Sequence, residues 1–306
     1  MSDKMQGMVS SSLVAVAFGI GIGYYIAGRA TKAKSKDTQR LVKKKLVDKD
    51  ICIVTGGSRG IGAATCLELQ DMYKIVCVYN NNKLKADEIV KKIYNNGNTA
   101  LAVQCNISDT KSVKKMFDQV ESYFKTGKIV ALVNNAAIIG PTGTKGQLLG
   151  MPKVEDPQFE GQFIDMMKTN VLGPLTCSKL ALEKMSKKTG GNGGAIVNIS
   201  SGSAFIQGSP VLYAITKGAL NSLQTSIVLE CAEHGVRINA IAPGMCNTDM
   251  PSDAAKKKTV PCIPLKRLGE ASEIADAIRY LLSNQSSYVC GANIRIAGGR
   301  PMGSLQ

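Results

Sequence analysis

The sequence lacks tryptophan altogether and has six phenylalanines and a single histidine, His234, in 306 residues. One imidazole argues against histidine-based catalytic triads and against metal sites built from several histidines. In AEHGVR, His234 is typical of a surface loop. The nine cysteines are an odd number without a C-x-x-C pair, which argues against a disulfide framework or a zinc cluster. We therefore predict no metal site, and a compartment in which thiols stay reduced.

Acidic residues are also under-represented, since 38 Lys and Arg outweigh 23 Asp and Glu to give a net charge of +15. Residues 1–50 hold ten basic and four acidic side chains, a balance of +6, so the excess is spread along the chain. A basic balance alone is a weak sign of nucleic-acid binding, and no Arg-rich stripe with interleaved aromatics accompanies it. We predict no nucleic-acid partner.

The longest uncharged stretch lies between Met5 and Gly28, with LVAVAFGIGIGYYIA at its centre. At ~1.5 Å per residue, about 20 helical residues cross a bilayer core. We predict a single-pass membrane anchor in residues 1–30, with residues 8–28 in the membrane. A cleaved signal peptide or a buried helix are the alternatives, but the flanking sequences SDK and GRA lack the charge and cleavage pattern of a signal peptide.

A basic linker, residues 31–47, follows the predicted anchor, whereas Lys4 stands almost alone before it. By the positive-inside tendency, the C-terminal bulk then faces the cytosol. The GIGIG stretch at residues 19–23 has no strand or turn signal beside it. We interpret its glycines as small residues for close helix approach in lipid, and not as a phosphate loop.

Residues 48–303 alternate between short apolar runs and longer amphipathic segments. The predicted strands are ICIVTG, KIVCVYN, TALAVQCN, KIVALVNNA, AIVNISS, RINAIAPG and ANIRIAGG. This alternation indicates right-handed β-α-β crossovers and one doubly wound, Rossmann-like parallel sheet covered on both faces. The GGNGG stretch at residues 190–194 is predicted to be a flexible link between a helix and a strand.

The TGGSRGIG stretch, residues 55–62, lies between a predicted strand and a predicted helix, the context in which such glycines bind a dinucleotide. Gly56 permits a tight turn, Gly60 lets the backbone approach a pyrophosphate, and Gly62 lets the helix pack on the sheet. The second strand ends in YNNNK, without the carboxylate that favours NAD. Because Arg59 offers a planar cation to a 2′-phosphate, we predict NADP(H) in preference to NAD(H).

Polar residues gather where the predicted strands end. Ser200 and Ser201 close one strand, NNA at residues 134–136 closes another, and PG at 243–244 a third. Carboxyl ends of parallel strands are where open α/β folds bind ligands. In YAITKGAL, Tyr213 and Lys217 are four residues apart and therefore share one face of a helix.

Together, TGGSRGIG, NNAA, Ser-Tyr-x-x-x-Lys and PG…T resemble the short-chain dehydrogenase/reductase superfamily, and look closest to its 3-oxoacyl and small-carbonyl reductases. The likeness runs from the first predicted strand to ANIRIAGG. It implies a small-molecule substrate and an NADP(H)-dependent oxidoreductase that interconverts a carbonyl and a secondary alcohol. It also leads us to expect a homo-oligomer, assembled through the helices that carry Asn170 and Tyr213.

The resemblance implies a role for each of four catalytic residues. Tyr213 would donate and accept the proton, and Lys217 would lower the pKa of that phenol and bind the nicotinamide ribose. Ser201 would hold the substrate oxygen, and Asn170 would complete a water-linked relay through Lys217. The chemistry agrees, because an alkoxide needs a proton as it forms and a phenol of pKa ~10 needs a nearby cation to act at neutral pH.

The cofactor-binding residues implied by the resemblance lie in the glycine loop and at the strand ends. They are Thr55, Gly56, Ser58, Arg59, Gly60, Ile61, Gly62, Asn80, Asn81, Asn106, Ile107, Asn135, Ala136, Tyr213, Lys217, Pro243, Gly244 and Thr248. Asn106 would meet adenine in place of the family's usual Asp, and Thr248 would contact the carboxamide or the pyrophosphate. Asn170 could instead be a helix cap, and Thr248 a plain turn residue.

Two features depart from the family pattern. Ser201 and Tyr213 are one residue closer than usual, so Ser200 has the usual spacing and Ser201 the usual place after the strand; we favour Ser201. The chain also carries a Gly/Pro-rich insertion at residues 140–160, which we expect to border the substrate or a subunit interface.

The alternative to an enzyme is a catalytically silent nucleotide-binding membrane scaffold of the same fold. A silent protein would have no physical need for the four catalytic residues together.

Overall fold

The computed structural model describes residues 49–140 and 148–301. The predicted anchor, residues 1–30, and the basic linker, residues 31–47, lie outside the described residues and stay predictions. Of the helices within the two described ranges, none has both the length and the apolar character needed to span a bilayer.

Within the described residues, seven parallel strands form one sheet in the order β3-β2-β1-β4-β5-β6-β7. The strands are β1 (Ile51–Thr55), β2 (Lys74–Tyr79), β3 (Ala100–Gln104), β4 (Ile129–Asn134), β5 (Gly194–Ile199), β6 (Val236–Pro243) and β7 (Asn293–Ile296). Every residue of β1 and β2 is buried, as expected of strands covered on both faces. The predicted doubly wound Rossmann-like sheet is confirmed.

Helices cover both faces of this sheet. They are α1 (Gly60–Glu68), α2 (Lys83–Asn95), α3 (Thr110–Tyr123), α4 (Pro157–Met167), α5 (Gly173–Met185), α6 (Val211–Glu233), α7 (Asp253–Thr259) and α8 (Ala271–Leu282). Apolar side chains of α1, α2 and α8 form one core layer, and those of α3, α5 and α6 form the other. The sheet therefore lies between two helical layers. A ligand can approach it at the edge formed by the carboxyl ends of the strands.

Local capping explains where several helices begin. Asp109 accepts a hydrogen bond from Lys111 N at the start of α3, and Asp156 accepts one from Gln158 N at the start of α4. Such side chains satisfy amides that have no partner inside the helix. Between α4 and α5 the chain forms a π-helical segment, Lys168–Leu172, a distortion that is frequent at functional sites.

One local prediction was wrong, and a second was incomplete. The stretch at residues 190–194 is a close-packed turn, because Gly193 N donates to Met185 O at 2.7 Å and a Cβ on Gly194 would lie 2.0 Å from Val130 O. Crowding therefore accounts for Gly191, Gly193 and Gly194, where a Cβ would lie within 2.7 Å of other atoms. His234, expected on a surface loop, lies in the turn between α6 and β6, where it is half-buried with Nδ1 2.6 Å from the Ser186 hydroxyl.

All nine cysteines are free thiols, and seven of them are buried. Burial raises the pKa values of several of these thiols, including Cys52 and Cys177, so they remain protonated. In the part of the chain that the structure describes, no group of acidic, cysteine and histidine side chains is arranged to hold a metal ion.

Candidate active site

The glycine loop between β1 and α1 is shaped by steric exclusion. Gly56 and Gly60 adopt left-handed φ values of +65° and +52°, which glycine tolerates best. A Cβ on Gly62 would lie 2.2 Å from Gly56 O. The first hydrogen bond of α1 runs from Ala63 N to Arg59 O at 3.1 Å, so the preceding amides have no intrahelical partner. A glycine-lined turn with free amides at a helix N-terminus fits the diphosphate of a dinucleotide.

Thr55 and Asn135 brace this loop against β4. Thr55 Oγ1 accepts hydrogen bonds from Asn135 N at 3.0 Å and from Ala136 N at 3.1 Å. Asn135 Nδ2 donates to Thr55 O at 2.9 Å and to Gly56 O at 3.2 Å. The Asn135 amide therefore holds the glycine loop in shape, and its predicted place in the cofactor cleft stays a prediction.

The end of β2 carries no carboxylate. Asn80 and Asn81 follow Tyr79 and are exposed, as is Arg59 at the first turn of α1. The Arg59 guanidinium is 3.8 Å from the Asp249 carboxylate, and both side chains are more than half exposed. A weak surface contact of this kind leaves Arg59 accessible to a second anion. The arrangement fits a ribose that bears a 2′-phosphate.

The remaining cofactor candidates lie around the same edge. Asn106, exposed after β3, accepts hydrogen bonds from the amide and hydroxyl of Ser108, which leaves its contact with adenine a prediction. Ile107 is buried. Thr248 lies in a turn, with its amide 3.0 Å from Cys246 O, and also faces the glycine loop. A Cβ on Gly60 would lie 3.4 Å from the Thr248 methyl group.

Pro243 and Gly244 end β6 where the chain leaves the sheet. Gly244 N donates to Ile296 O at 2.8 Å, and a Cβ on Gly244 would lie 2.8 Å from the Ala297 Cα. The PG pair therefore fixes the start of the segment that carries Thr248. Ser58 and Ile61, in the glycine loop and the first turn of α1, complete the predicted set.

Tyr213 and Lys217 lie together on the buried face of α6. The Lys217 Nζ is 5.6 Å from the centroid of the Tyr213 ring and donates to Ile199 O, the last carbonyl of β5, at 2.6 Å. Both side chains are almost fully buried. The sheet edge thus holds an ammonium beside a phenol.

Burial shifts the pKa values of both groups toward their neutral forms. Burial lowers the pKa of Lys217 from 10.5 to about 8. It raises the pKa of Tyr213 from 10.0 to about 12, against a smaller lowering by the nearby Ser201 hydroxyl, and the Cys246 thiol raises it a little further. Desolvation dominates the net pKa shift of Tyr213. The expected acidifying effect of Lys217 on this phenol stays a prediction.

The two adjacent serines point to different places. Ser200 is buried and donates to Asn221 Oδ1 at 2.6 Å, so its hydroxyl is engaged with the middle of α6. Ser201 is the N-cap of the 3₁₀ turn Gly202–Ala204, where its Oγ accepts from Ser203 N at 3.0 Å, and its hydroxyl is near enough to Tyr213 to lower the pKa of that phenol. The geometry therefore brings Ser201, and not Ser200, to the phenol.

Asn170 is buried in the π-helical segment and joins two parts of the site. Its Oδ1 accepts from Ile138 N at 2.8 Å, and its Nδ2 donates to Ile138 O at 2.8 Å and to Thr216 Oγ1 at 3.1 Å. The alternative of a helix cap does not describe these contacts. Asn170 ties the loop after β4 to α6, while its water-linked relay to Lys217 stays a prediction.

Sequence reasoning missed three residues of this framework. Thr216 bonds Asn170 and donates to Tyr213 O at 2.9 Å, Asn221 receives Ser200, and Asp249 approaches Arg59. Thr216 is three residues after Tyr213 on α6, a spacing that could have pointed to it. Asn221 and Asp249 are each distant in sequence from the residue that they contact, so no local sequence pattern pointed to either of them.

The described part of the insertion borders the tyrosine. Met151 and Ile139 pack against the buried cluster of Met166, Leu212 and Tyr213. Exposed apolar side chains flank Met151 in the sequence. They are Leu148 and Leu149, in the 3₁₀ turn Leu148–Gly150, and Val154. The expectation that residues 140–160 lie beside the active-site edge agrees with this packing, and residues 141–147 lie outside the described residues.

The chain matches the family model of the short chain dehydrogenases over residues 50–259. It also aligns with the uncharacterized oxidoreductase YgfF of Escherichia coli at 39% identity, over 82% of this chain and 99% of that protein. The match to the 3-oxoacyl-[acyl-carrier-protein] reductase FabG of Staphylococcus aureus is 34% identical, over 82% of this chain and 97% of that protein. The chain therefore belongs to the short-chain dehydrogenase family and is an oxidoreductase.

Solved structures show the same fold. A short chain dehydrogenase from Burkholderia cenocepacia in complex with NADP superposes with a TM-score of 0.72 at 26% identity, covering 83% of this chain and 99% of that one. A dehydrogenase/reductase from Sinorhizobium meliloti gives a TM-score of 0.73 at 26% identity, covering 84% of this chain and 97% of that one. The silent scaffold considered from the sequence gains no support from these comparisons.

Proposed function

We propose that this chain is an NADP(H)-dependent oxidoreductase that interconverts a carbonyl and a secondary alcohol, with Tyr213 as the acid and base. The observation that carries the proposal is the buried phenol of Tyr213, with the Lys217 ammonium 5.6 Å from its ring centroid and a Ser201 hydroxyl near enough to lower the pKa of the phenol. A structural tyrosine at the sheet edge would have no need of a buried cation, which costs free energy to desolvate.

The residues that would hold the cofactor are those of the glycine loop and the edge around it. The free amides at the start of α1 would bind the diphosphate, and Arg59 would bind the 2′-phosphate. The absence of a carboxylate after β2 and the NADP in the Burkholderia structure support NADP(H) over NAD(H). When bound, the cofactor supplies hydride to the carbonyl carbon.

Tyr213 would supply the proton. As a carbonyl is reduced, negative charge grows on its oxygen and needs a proton and hydrogen-bond donors at that moment. With a pKa of about 12, Tyr213 is protonated at neutral pH, which is the state that reduction requires. Ser201 would donate a hydrogen bond to the same substrate oxygen. Lys217, charged below pH 8, would stabilise the phenolate that remains.

Asn170 would act as a positioning residue. Its contacts with Ile138 and Thr216 hold the loop after β4 against α6, and Thr216 in turn bonds the carbonyl of Tyr213. A water held by Asn170 would complete the relay that returns a proton to the phenol through Lys217. This relay is part of the proposal and rests on the family resemblance.

We extend the proposal to location and assembly. The uncharged residues 8–28 support a single-pass anchor with the catalytic domain facing the cytosol, and an anchor suits an apolar carbonyl substrate. Deletion of residues 1–30 should convert a protein that pellets with membranes into one that stays in solution, and continued pelleting would contradict the anchor. Assembly into a homo-oligomer would use the helices that carry Asn170 and Tyr213.

The test of the function is NADPH oxidation against a panel of carbonyls that includes 3-oxoacyl thioesters, steroids, retinal, quinones and sugars. We expect turnover of at least one class, a preference for NADPH over NADH, and a loss of about 10³-fold or more in kcat for Tyr213→Phe. Preference for NADH would contradict the role given to Arg59. Substantial activity in Tyr213→Phe would contradict the role of the phenol.

A further inference from the structure

The two edges of the sheet carry different side chains. The glycine loop and the Tyr213–Lys217 pair lie at the carboxyl edge, where the strands end. At the amino edge, where the strands begin, four loops lead into the neighbouring strands β4, β5, β6 and β7 and therefore lie side by side. These loops are residues 124–128, 186–193, 234–235 and 283–292.

The first two of these loops are basic. The four loops together contain no Asp or Glu. Two acidic residues that lie just before them are paired with lysines, Glu121 with Lys184 at 2.8 Å and Glu233 with Lys188 at 3.0 Å. The amino edge therefore carries an excess of positive charge. Its exposed lysines are Lys125, Lys128, Lys187 and Lys188.

Contacts between the loops bring these lysines onto one surface. The Lys128 ammonium donates to Gly190 O at 2.6 Å, which joins the loop before β4 to the loop before β5. Lys187 N donates to His234 O at 3.0 Å, and a Cβ on Gly235 would lie 2.7 Å from Lys187 Cδ. The loop before β5 thus also packs on the loop before β6, and the basic surface is continuous.

The loop before β7 adds an exposed aromatic ring to the same edge. The Arg237 guanidinium, near the start of β6, donates to Ser283 O and to Val289 O, each at 3.2 Å. Tyr288 lies between these two attachment points and is fully exposed. Tyrosine is enriched where proteins meet the headgroup region of a bilayer, because its ring is apolar and its hydroxyl is polar.

The chain also enters the domain at this edge. A Cβ on Gly127 would lie 2.4 Å from Lys49 O, and Lys128 N donates to Asp50 Oδ1 at 2.8 Å. The predicted membrane span ends at Gly28, about 20 residues before Lys49, a length of chain that reaches at most ~70 Å. The amino edge is therefore the part of the domain that the chain joins to the predicted span.

We propose that the amino-edge surface, which we define as Lys125, Lys128, Lys187 and Tyr288, docks on a lipid bilayer that bears anionic headgroups. The ammonium groups would lie near the headgroup phosphates, and the Tyr288 ring would lie at the level of the headgroups. The carboxyl edge, with the active site, would then face away from the bilayer. This contact is separate from the predicted span and uses none of the residues of the proposed oxidoreductase chemistry.

The test measures the reactivity of lysines in the full-length protein reconstituted into vesicles. The vesicles contain phosphatidylcholine, alone or mixed with phosphatidylglycerol, and both lipids lack a primary amine. A membrane-impermeant acetylating reagent is applied, and mass spectrometry measures the rate at each lysine. We expect Lys125 and Lys187 to react about fivefold more slowly on the anionic vesicles, and high salt to remove this difference. Lys257 and Lys258, exposed on α7 after β6, should react equally on both.

A double variant, Lys125→Gln with Lys187→Gln, tests whether these charges hold the surface on the bilayer. The slower reaction at Lys128 should then come within about twofold of the rate on neutral vesicles. The matched control is Lys257→Gln with Lys258→Gln, which removes the same charge from α7 and should keep the slower reaction. Thermal unfolding establishes that each variant is folded.

Three results would overturn the proposal. One is an equal reaction of Lys125 and Lys187 on neutral and anionic vesicles, or no association of the full-length protein with anionic vesicles. Another is slower reaction at Lys257 and Lys258 in place of the amino-edge lysines, which would turn the active site toward the bilayer. The third is slower reaction at Lys125 and Lys187 with an RNA oligonucleotide but not with anionic vesicles, which would assign the surface to nucleic acid.

Discussion

The glycine loop and the Tyr213–Lys217 pair lie at one edge of the same sheet but are built on opposite principles. The loop conformation depends on the absence of a side chain: Gly62 has no room for a Cβ, which would lie 2.2 Å from Gly56 O. The pair works by putting polar atoms where they are costly, since burial lowers the pKa of Lys217 to about 8 and raises that of Tyr213 to about 12. Adding one carbon to the loop should therefore weaken cofactor binding. Removing one oxygen from the pair should abolish turnover.

This difference also separates binding from chemistry. The loop is formed by backbone groups that Thr55 and Asn135 brace, so damage there should appear as lost cofactor affinity. The pair contributes side-chain protons and charge, so damage there should appear in turnover. The predictions below test that separation, from the largest expected effect to the smallest.

Gly62→Ala should weaken NADPH binding by up to roughly 150-fold. The added methyl carbon would meet Gly56 O at 2.2 Å and Asn135 Nδ2 at 2.5 Å, so the loop must move, and overpacking of this kind costs roughly 1–3 kcal/mol. The measurement is the NADPH dissociation constant. Gly161→Ala is the matched control, since a Cβ there has nothing within 4 Å, and it should bind NADPH normally. Equal effects of the two changes would contradict the steric account.

Ser201→Ala and Ser200→Ala should have different consequences. Loss of the Ser201 hydroxyl removes a donor near Tyr213 and should lower kcat by roughly 10- to 100-fold, with cofactor affinity unchanged. Loss of the Ser200 hydroxyl leaves Asn221 short of one buried partner and should lower stability by about 1 kcal/mol with kcat nearly intact. Steady-state kinetics and thermal unfolding of both variants check this, and the reverse pattern would assign the substrate contact to Ser200.

The rate of reduction should fall as the pH rises through about 8. Lys217 loses its proton near that pH because burial lowers its pKa from 10.5, whereas Tyr213 stays protonated up to about 12. One lost proton gives at most a tenfold fall per pH unit in kcat/KM, which reports the free enzyme. A profile flat from pH 7 to 10 would show that the charge of Lys217 plays no part.

The same lowered pKa makes Lys217 a source of instability. Between pH 8 and 10.5 the unfolded chain holds more protons than the folded one, so this residue destabilises the fold below pH 8 and the penalty is relieved as pH rises across that window. Lys217→Met should thus be inactive yet more stable at pH 7, by up to roughly 3 kcal/mol before the lost bond to Ile199 O is counted. Denaturant unfolding at pH 7 and pH 10 measures the difference between the two proteins.

The parts of the fold that sequence predicts well are those set by local patterns. The strands of a parallel sheet are short apolar runs, and the glycine loop and the Tyr213–Lys217 spacing are contained within eight residues each. Each of these features could be located before any tertiary contact was known.

The parts that sequence could not predict depend on distant contacts. Asn170 meets Ile138 and Thr216, residues 32 and 46 positions away, and the choice between the two serines depends on Asn221 and on the 3₁₀ turn after β5. The direction of the Tyr213 pKa shift follows from burial, which spacing does not reveal. The anchor in residues 1–30 lies outside the described residues and stays a prediction.

The most direct test of the account is to measure kcat and the NADPH dissociation constant on the same preparation of Tyr213→Phe. Removing the phenol oxygen leaves the ring, the glycine loop and its bracing by Asn135 in place. We predict that NADPH affinity stays within about twofold of wild type while kcat falls by about 10³-fold or more. Turnover within tenfold of wild type, or a loss confined to NADPH affinity, would contradict the claim that this buried phenol transfers the proton.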